Sequence, residues 1–290
     1  MSTAWWREYR VLSVQEIAFI QDRIRSVEQD WFALQPIVGS PHLHGGYVYF
    51  YSENTLHFSD LGLLPDGDPM RILAEASERL RPERIELTLA DGSHDDFLLR
   101  RGWTRAWRSE ATHNCEVVLR YSGKSKERFD RKRREFHRRN RRFRCDLHPG
   151  PLTAQHRELV RRHIQSLDDD LTPFDRKNIE VVPDFLADSE YGITVNAFQR
   201  DELIGFAQGH IRYAPRLGIF SFCIAPGRMS QLSDCLYVAL LEEIWQRHVE
   251  VCSLGVTIWR GLYRYKTKWG AKPLTGPYRY ESWVRARHGG

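Results

Sequence analysis

The chain has 290 residues, which is enough for one large domain or two domains of ordinary size. Hydrophobic residues make up 41% of it and aromatic residues 12%, a composition typical of a globular protein rather than a disordered one. No run of 18 apolar residues occurs, and the first residues lack the apolar core of a signal peptide. We therefore expect a cytoplasmic protein that is not inserted in a membrane.

The net charge of +5 comes from one segment. Residues 124–144 contain twelve Lys or Arg and three Asp or Glu, a charge of +9, and the remaining 31 basic and 35 acidic residues give about −4. The five cysteines are widely spaced and form no zinc-binding pattern, so we expect reduced thiols and no metal.

Helical and strand patterns alternate in the first half of the chain. Ser13 precedes apolar residues at helical spacing, which predicts a helix within residues 1–36. The elements predicted after it are strands within 47–64, a helix from Asp68-Pro69 to about Leu80, a strand over 85–89, a short helix ending near Gly102, and two strands reaching Leu119.

The second half shows a similar order. Its predicted elements are strands over 191–200, 203–213 and 219–224, a helix from Ser233-Asp234 to about His248, a strand over 251–256, a short helix over 260–268, and two final strands. Each half thus ends in a short helix, an aromatic–glycine pair and a predicted hairpin. This internal repeat indicates a duplicated module.

Three stretches carry a resemblance to a known family. The first, residues 125–134, is an Arg/Lys-rich helical segment between the halves. The second, residues 217–234, has the pattern of a strand, a glycine-containing turn and a helix. The third, residues 263–271, has the sequence Tyr-Arg-Tyr-Lys-Thr-Lys-Trp-Gly-Ala. Each half resembles a GNAT acyltransferase module, and the whole chain resembles the Fem family of peptidyltransferases, which use aminoacyl-tRNA.

The resemblance implies an α/β fold with mixed sheets, built from two tandem GNAT-like modules joined by a basic helix. The expected boundaries are 1–122 for the first module, 123–146 for the helix, and 147–290 for a second module that carries the active site. The implied activity is transfer of an aminoacyl group from aminoacyl-tRNA to the amine of a peptide or small molecule, with aminoacyl-tRNA as co-substrate and no other cofactor.

Lys266 is the first candidate catalytic residue, because the resemblance places it at the family's active-site lysine. An ammonium there could stabilise a tetrahedral oxyanion or bind a donor phosphate; the alternative is a solvated lysine on an amphipathic helix. Arg260, Arg264 and Lys268 follow helical spacing on one face, where like charges repel mildly, so we expect them to bind the acidic donor; the alternative is a solvated basic face.

The turn after the strand at 219–224 departs from GNAT modules that use acetyl-CoA. Those carry a glycine-rich turn for the pyrophosphate, whereas residues 225–232 contain a single glycine. Arg228 and Ser230 precede a helix N-terminus here, which favours contact with a donor phosphate.

His210 is the second candidate catalytic residue. Period two places it with Gln208 and Arg212 on one side of a strand, where it could accept the proton of the amine; a surface histidine or a hydrogen-bonded core histidine is the alternative. Asp170 and Thr172 lie in an acidic loop that we expect to bind the acceptor.

Lys132, Arg134, Arg138 and Arg141 are expected to bind tRNA. Phe129, Phe136 and Phe143 recur every seven residues, so one face would pack on the protein while cations face outward to contact phosphates. A solubilising helix and an acidic membrane surface are the alternatives.

Two other functions stay open at this point. One is acyl-CoA-dependent N-acylation on the same fold, and the other is RNA binding by a non-catalytic GNAT scaffold. The acceptor could belong to antibiotic or other natural-product synthesis or to cell-wall peptide synthesis. We expect a monomer.

Overall fold

The computed structural model describes residues 37, 39, 41–60, 67–89, 94–108, 115–140, 142–167, 173–211, 217–226, 230–257, 260–275 and 279–286. The helix predicted within residues 1–36 lies outside them. The described residues form two mixed sheets and seven helices.

The first half of the chain consists mainly of strands. Its elements are β1 (Pro41–His44), β2 (Tyr47–Ser52), β3 (Thr55–Ser59), α1 (Pro69–Leu80), β4 (Arg84–Leu89), α2 (Asp95–Leu99), β5 (Trp103–Arg108) and β6 (Cys115–Arg120). The predicted helix α1 is confirmed at both ends. The Asp68 side chain accepts hydrogen bonds from the N–H groups of Met70 and Arg71, which caps the helix.

The second half begins with the basic helix. Its elements are α3 (Gly123–Arg139), β7 (Arg144–His148), α4 (Ala154–Leu167), α5 (Pro173–Asp188), β8 (Gly192–Gln199), β9 (Glu202–Ile211), β10 (Leu217–Ile224), α6 (Ser230–Gln246), β11 (Val251–Thr257), α7 (Arg260–Lys268), β12 (Lys272–Thr275) and β13 (Arg279–Arg285). Helix α6 begins at Ser230, three residues before the predicted start.

The basic helix is shorter than predicted. It ends at Arg139, because Asn140 takes an extended conformation, and residues 144–148 form the edge strand β7 instead of continuing the helix to 146. Pairing with β8 satisfies the backbone of β7, and its charged residues Arg144 and Asp146 suit an exposed sheet edge. The helix of 17 residues is therefore about 25 Å long.

The predicted hairpins at the ends of the two halves do not form. The sheets have the orders β1-β2-β3-β4-β13-β5 and β12-β6-β11-β10-β9-β8-β7, so each pair of terminal strands is divided between the two sheets. The alternating sequence pattern of these segments predicts a strand without specifying its partner. Burial selects the partner here, since Trp283 of β13 is fully buried while β13 pairs with β4 and β5.

Contacts accordingly divide the chain into two compact units. One contains the residues up to Glu116, Val256–Arg260 and those from Leu274 onward, and the other contains Val117–Gly255 and Gly261–Pro273. The boundaries 1–122, 123–146 and 147–290 expected from sequence divide the chain into consecutive segments. The two units are not consecutive, because the C-terminal strand β13 belongs to the sheet of the first unit and β6 to the sheet of the second.

Helix α6 covers one face of the second sheet. Leu232, Leu236, Leu240 and Ile244 are fully buried on it. The helix approaches β10 so closely that a Cβ atom at Gly218 would lie 2.5 Å from Ile244 Cγ2. This packing fixes the position of β10, the strand that borders the site described below.

We predict that Trp283→Ala lowers the free energy of unfolding of the first unit by about 3–5 kcal/mol, because a fully buried indole is lost from a strand enclosed between β4 and β5. Trp107→Ala is the matched control. Trp107 lies opposite Ser282 on the neighbouring strand but is 53% exposed, so we expect a change within about 0.5 kcal/mol. Urea unfolding followed by circular dichroism measures both, and equal losses would contradict the strand assignment.

Candidate active site

A gap opens between two parallel strands of the second sheet. Among the residues that the structure describes, strands β10 and β11 are paired over 217–219 and 251–253 and not beyond, although they continue to Ile224 and Thr257. Backbone groups that leave a ladder in this way need other partners, such as side chains, water or a ligand. We call this opening the strand gap.

A β-bulge shapes one side of the strand gap. The register of β10 against β9 shifts between Phe220 and Phe222, so Ser221 is the extra residue. Ser221 and Phe222 are partly accessible, although β10 lies in the interior of a seven-stranded sheet. The bulge therefore gives an otherwise buried strand an open surface at this point.

Lys266 places its ammonium group at the start of the strand gap. The side chain is 4% exposed, and Nζ donates a hydrogen bond to the carbonyl oxygen of Gly255 on β11 (3.1 Å). A Cβ atom added at Gly255 would lie 3.7 Å from that Nζ and 4.0 Å from the carbonyl oxygen of Phe220 on β10. The predicted catalytic lysine is therefore not a solvated surface residue.

Aromatic rings pack together where β10, α6 and α7 meet. The Phe220 ring stacks on Tyr237 of α6 at 4.0 Å between centroids, and Tyr237 meets Tyr265 edge to face at 4.9 Å. Burial raises the pKa of both phenols, so they remain neutral. Burial likewise raises the pKa of the Cys252 thiol, which makes it a poor nucleophile.

Lys268 holds the end of α7 in place. Its Nζ lies 2.5 Å from an Asp234 carboxylate oxygen near the N-terminal end of α6, and 4.0 Å from the centroid of the Tyr265 ring. A carboxylate at that end of a helix is also stabilised by the helix dipole. Lys268 thus pairs with the protein's own acidic group, whereas Arg260 and Arg264, predicted with it as donor-binding residues, are exposed.

His210 is fully buried on β9. Its Nδ1 lies 3.3 Å from Ser221 Oγ across the β9–β10 pairing. Gln208 is fully buried too, and its amide donates to the Pro183 carbonyl oxygen (2.9 Å) and to Thr194 Oγ1 (3.0 Å). The polar side of β9 predicted to face the acceptor is therefore covered by protein at these two residues.

Helix α3 separates its cations into two sets. On its inner side, Arg133 pairs with Glu242 of α6 (3.3 Å) and Lys126 lies 4.6 Å from the centroid of the Trp245 ring. Among the predicted tRNA-binding residues, Lys132 pairs with Glu135 (3.1 Å). Arg134 and Arg138 are exposed and make no ion pair with any described residue, as is also true of Lys124, Arg128 and Arg131. We call these five residues the outer cations.

The basic helix also contacts the segment that follows Lys266. Ser125 Oγ donates a hydrogen bond to the carbonyl oxygen of Gly270 (2.6 Å), two residues after the end of α7. A Cβ atom at Gly270 would lie 2.6 Å from the Ser125 carbonyl oxygen and 3.3 Å from Arg128 Cβ. The helix that carries the outer cations therefore packs, near its N-terminus, against the residues that follow the Lys266 helix.

Several predicted site residues lie outside the described residues: Arg228, Arg141, Asp170, Thr172 and Arg212. For Ser230 only the backbone, the first residue of α6, is described. Within the described ranges, no group of three or more His, Cys, Asp or Glu residues could hold a metal ion, and no helix is long and apolar enough to cross a bilayer.

Sequence reasoning missed Ser221 and Gly255. Gly255 could have been noticed, because a glycine inside a predicted strand often marks a bulge or the close approach of another group. In the structure its φ is +73°, and the Lys266 ammonium lies against it. Ser221 has no comparable signal, because a bulge within a run of apolar strand residues leaves the sequence pattern unchanged.

No protein-family model and no curated protein matches the chain by sequence. Solved structures do match its fold. A conserved protein of unknown function from Bacteroides thetaiotaomicron VPI-5482 gives a TM-score of 0.57 at 10% identity, covering 95% of this chain and 98% of that one. FemX gives 0.56 at 9% identity, covering 94% and 96%. A tandem GNAT protein from the clavulanic acid biosynthesis pathway gives 0.52 at 12%, covering 84% and 79%.

At such low identities these matches are evidence for the fold alone. The predicted fold class, an α/β fold of two tandem GNAT-like modules, is confirmed. The resemblance to Fem proteins is supported at the level of a related fold.

We predict that Gly255→Ala destabilises the second unit by about 1–2 kcal/mol, because an L-residue at a left-handed φ is strained. Gly261→Ala is the matched control. An added Cβ there has no heavy atom within 4 Å, and alanine favours the helix α7, so we expect a gain of about 0.5–1 kcal/mol. Chemical denaturation measures both changes. Two shifts of the same sign would contradict the backbone geometry of the strand gap.

Proposed function

We propose that the protein transfers an aminoacyl group from aminoacyl-tRNA to the amine of a peptide or small-molecule acceptor, forming an amide bond. The observation that carries this proposal is the Lys266 ammonium at the start of the strand gap, buried and hydrogen-bonded to Gly255. The FemX-like fold supports a transferase of this kind.

The chemistry needs a fixed positive charge near the reacting carbonyl. When an amine attacks an ester, the carbonyl oxygen becomes negative, and an ammonium beside it lowers the energy of that intermediate. Lys266 is already desolvated and oriented, so little reorganisation is needed during the reaction. Amide formation then proceeds by direct attack and requires no covalent enzyme intermediate.

The outer cations support a polyanionic donor. Arg131, Arg134 and Arg138 are spaced by three and four residues, which aligns them along one side of α3. The five outer cations run from Lys124 to Arg138, about 21 Å along the helix axis, and cations aligned in this way suit successive phosphates of a nucleic acid backbone. Since Ser125 anchors the same helix beside Gly270, a tRNA bound along α3 could direct its acylated end toward the Lys266 helix.

The sequence of the turn after β10 argues against CoA as the donor. Residues 225–232 contain one glycine, so they offer fewer close backbone N–H groups to a pyrophosphate than a glycine-rich turn does. For the acceptor we propose the amine of a peptide or small molecule in natural-product or cell-wall peptide synthesis.

The test is to incubate the protein with a mixture of radiolabelled aminoacyl-tRNAs, or with acetyl-CoA, and a primary amine. We expect faster deacylation of one or more aminoacyl-tRNAs and none of acetyl-CoA. Deacylation of acetyl-CoA alone would support the acyl-CoA-dependent function instead. Binding of tRNA without any deacylation would support a non-catalytic RNA-binding protein.

In that assay we predict that Lys266→Ala and Lys266→Met each lower turnover at least tenfold, because both remove the charge while methionine keeps most of the side-chain volume. Lys272→Ala is the control, since Lys272 is exposed and lies on the edge strand β12. Circular dichroism should show folded proteins in each case. Full activity of folded Lys266→Met would rule out a role for the ammonium.

Reversing three outer cations should weaken tRNA binding most strongly at low salt concentration. The variant is Arg131→Glu, Arg134→Glu and Arg138→Glu, and the control is Arg100→Glu, Arg162→Glu and Arg247→Glu, which changes the net charge equally at exposed positions elsewhere.

We predict that the slope of log K against log salt falls in magnitude by about 2–3 in the outer-cation variant, because each lost phosphate contact removes somewhat less than one unit. The control variant should keep the slope of the unmodified protein. Filter binding of tRNA at several salt concentrations measures both, and equal slopes in the two variants would rule out phosphate contacts on α3.

A further inference from the structure

We infer that Ser221 is a catalytic residue that carries the proton of the attacking amine to His210. This inference rests on the proposed function and adds a residue to it. It starts from a conflict in the site: the histidine predicted to accept the proton is fully buried, so an acceptor in the strand gap cannot touch it.

Ser221 resolves that conflict by its position. The bulge places it beside the strand gap, where it is partly accessible, and its Oγ lies 3.3 Å from His210 Nδ1. His210 itself sits between Gly192 of β8 and Ile219 of β10. On the β8 side, the carbonyl oxygen of Leu186 covers Gly192 so closely that an added Cβ would clash with it at 1.8 Å. The serine hydroxyl therefore connects the buried imidazole with the accessible surface of β10.

Both strands that border the strand gap contribute to the site. Ser221 lies two residues beyond the last paired residue of β10, and Gly255, whose carbonyl oxygen accepts the Lys266 hydrogen bond, lies two residues beyond the last paired residue of β11. Ser221 thus lies on one bordering strand, and Lys266 of helix α7 is hydrogen-bonded to the other. Ser221 supplies a proton path and Lys266 supplies a fixed positive charge.

The proton transfers balance as follows. The amine lone pair forms the C–N bond, and the carbonyl π electrons move to the oxygen, whose negative charge the Lys266 ammonium stabilises. The nitrogen passes a proton to Ser221 Oγ as the serine proton moves to His210 Nδ1. When the C–O bond breaks, its electron pair leaves with the ribose oxygen, which takes a proton back from Ser221 as His210 returns its own.

This path requires the imidazole tautomer that carries its proton on Nε2, so that Nδ1 can accept. At 3.3 Å the contact is longer than a hydrogen bond of full strength. Such bonds often shorten when the substrate binds.

The test uses the aminoacyl-tRNA deacylation assay with glycinamide as the probe amine. Ser221→Ala should lower turnover about a hundredfold, the lower end of the effect of general acid–base groups. Ser221→Thr should restore most of it, because it keeps the hydroxyl. His210→Gln should match the loss of Ser221→Ala, and the double variant should be no slower than either single one. Filter binding of tRNA should not change.

Three results would overturn the inference while the unmodified protein is active: normal turnover of Ser221→Ala, no rescue by Ser221→Thr, or a double variant whose losses multiply. An inactive unmodified protein would instead reject the proposed function. The hydrogen bond is tested without substrate by the ¹⁵N chemical shift of His210 Nδ1, which should change in Ser221→Ala. An unchanged shift also overturns the inference, whatever the activity.

Discussion

The site depends on one buried positive charge. Removing an ammonium from water costs several kcal/mol unless polar groups around it compensate. Lys266 is nevertheless 4% exposed and is held against a strand carbonyl where two parallel strands separate. A lysine that served only solubility would gain nothing from this placement. The burial makes sense if the charge is needed in a water-poor cleft, where its field on a reacting group is strongest.

Much of the second unit helps to keep that charge in place. The ion pair of Lys268 with Asp234 joins the end of α7 to α6, and Tyr265 packs on Tyr237 between them. Helix α6 is in turn held against β10 by the close approach at Gly218. These contacts connect the sheet through α6 to α7, the helix that carries Lys266.

The sequence predicted those parts of the fold that have strong local signals. The capped helix α1, the short helix α7 and the strand β11 begin where the patterns indicate, and the order of elements was sufficient to identify the duplicated module. Strand partners could not be predicted, because β5, β6, β12 and β13 alternate in the same way whichever sheet they join. The partners of β13 are selected by the burial of Trp283, which exists only in the folded chain.

For the candidate site, the sequence indicated residue types but not their positions relative to one another. A motif pointed to Lys266, but only the position of α7 beside the strand gap determines that its charge is buried. His210 was identified by its chemistry and by period two, whereas Ser221 depends on a bulge that sequence periodicity does not reveal. Long-range geometry, not residue type, therefore separates the residues that face the strand gap from those that stay behind it.

The basic helix shows why a count of charges is a poor guide to binding. Residues 124–144 carry a net charge of +9, yet part of that charge stabilises the fold. Arg133 and His137 share Glu242, and Lys132 and Arg139 share Glu135. The pairs with Glu242 join α3 to α6, whereas the pairs with Glu135 lie within α3. The outer cations lie on the remaining, exposed side of the helix, which Ser125 joins to the segment that follows the Lys266 helix.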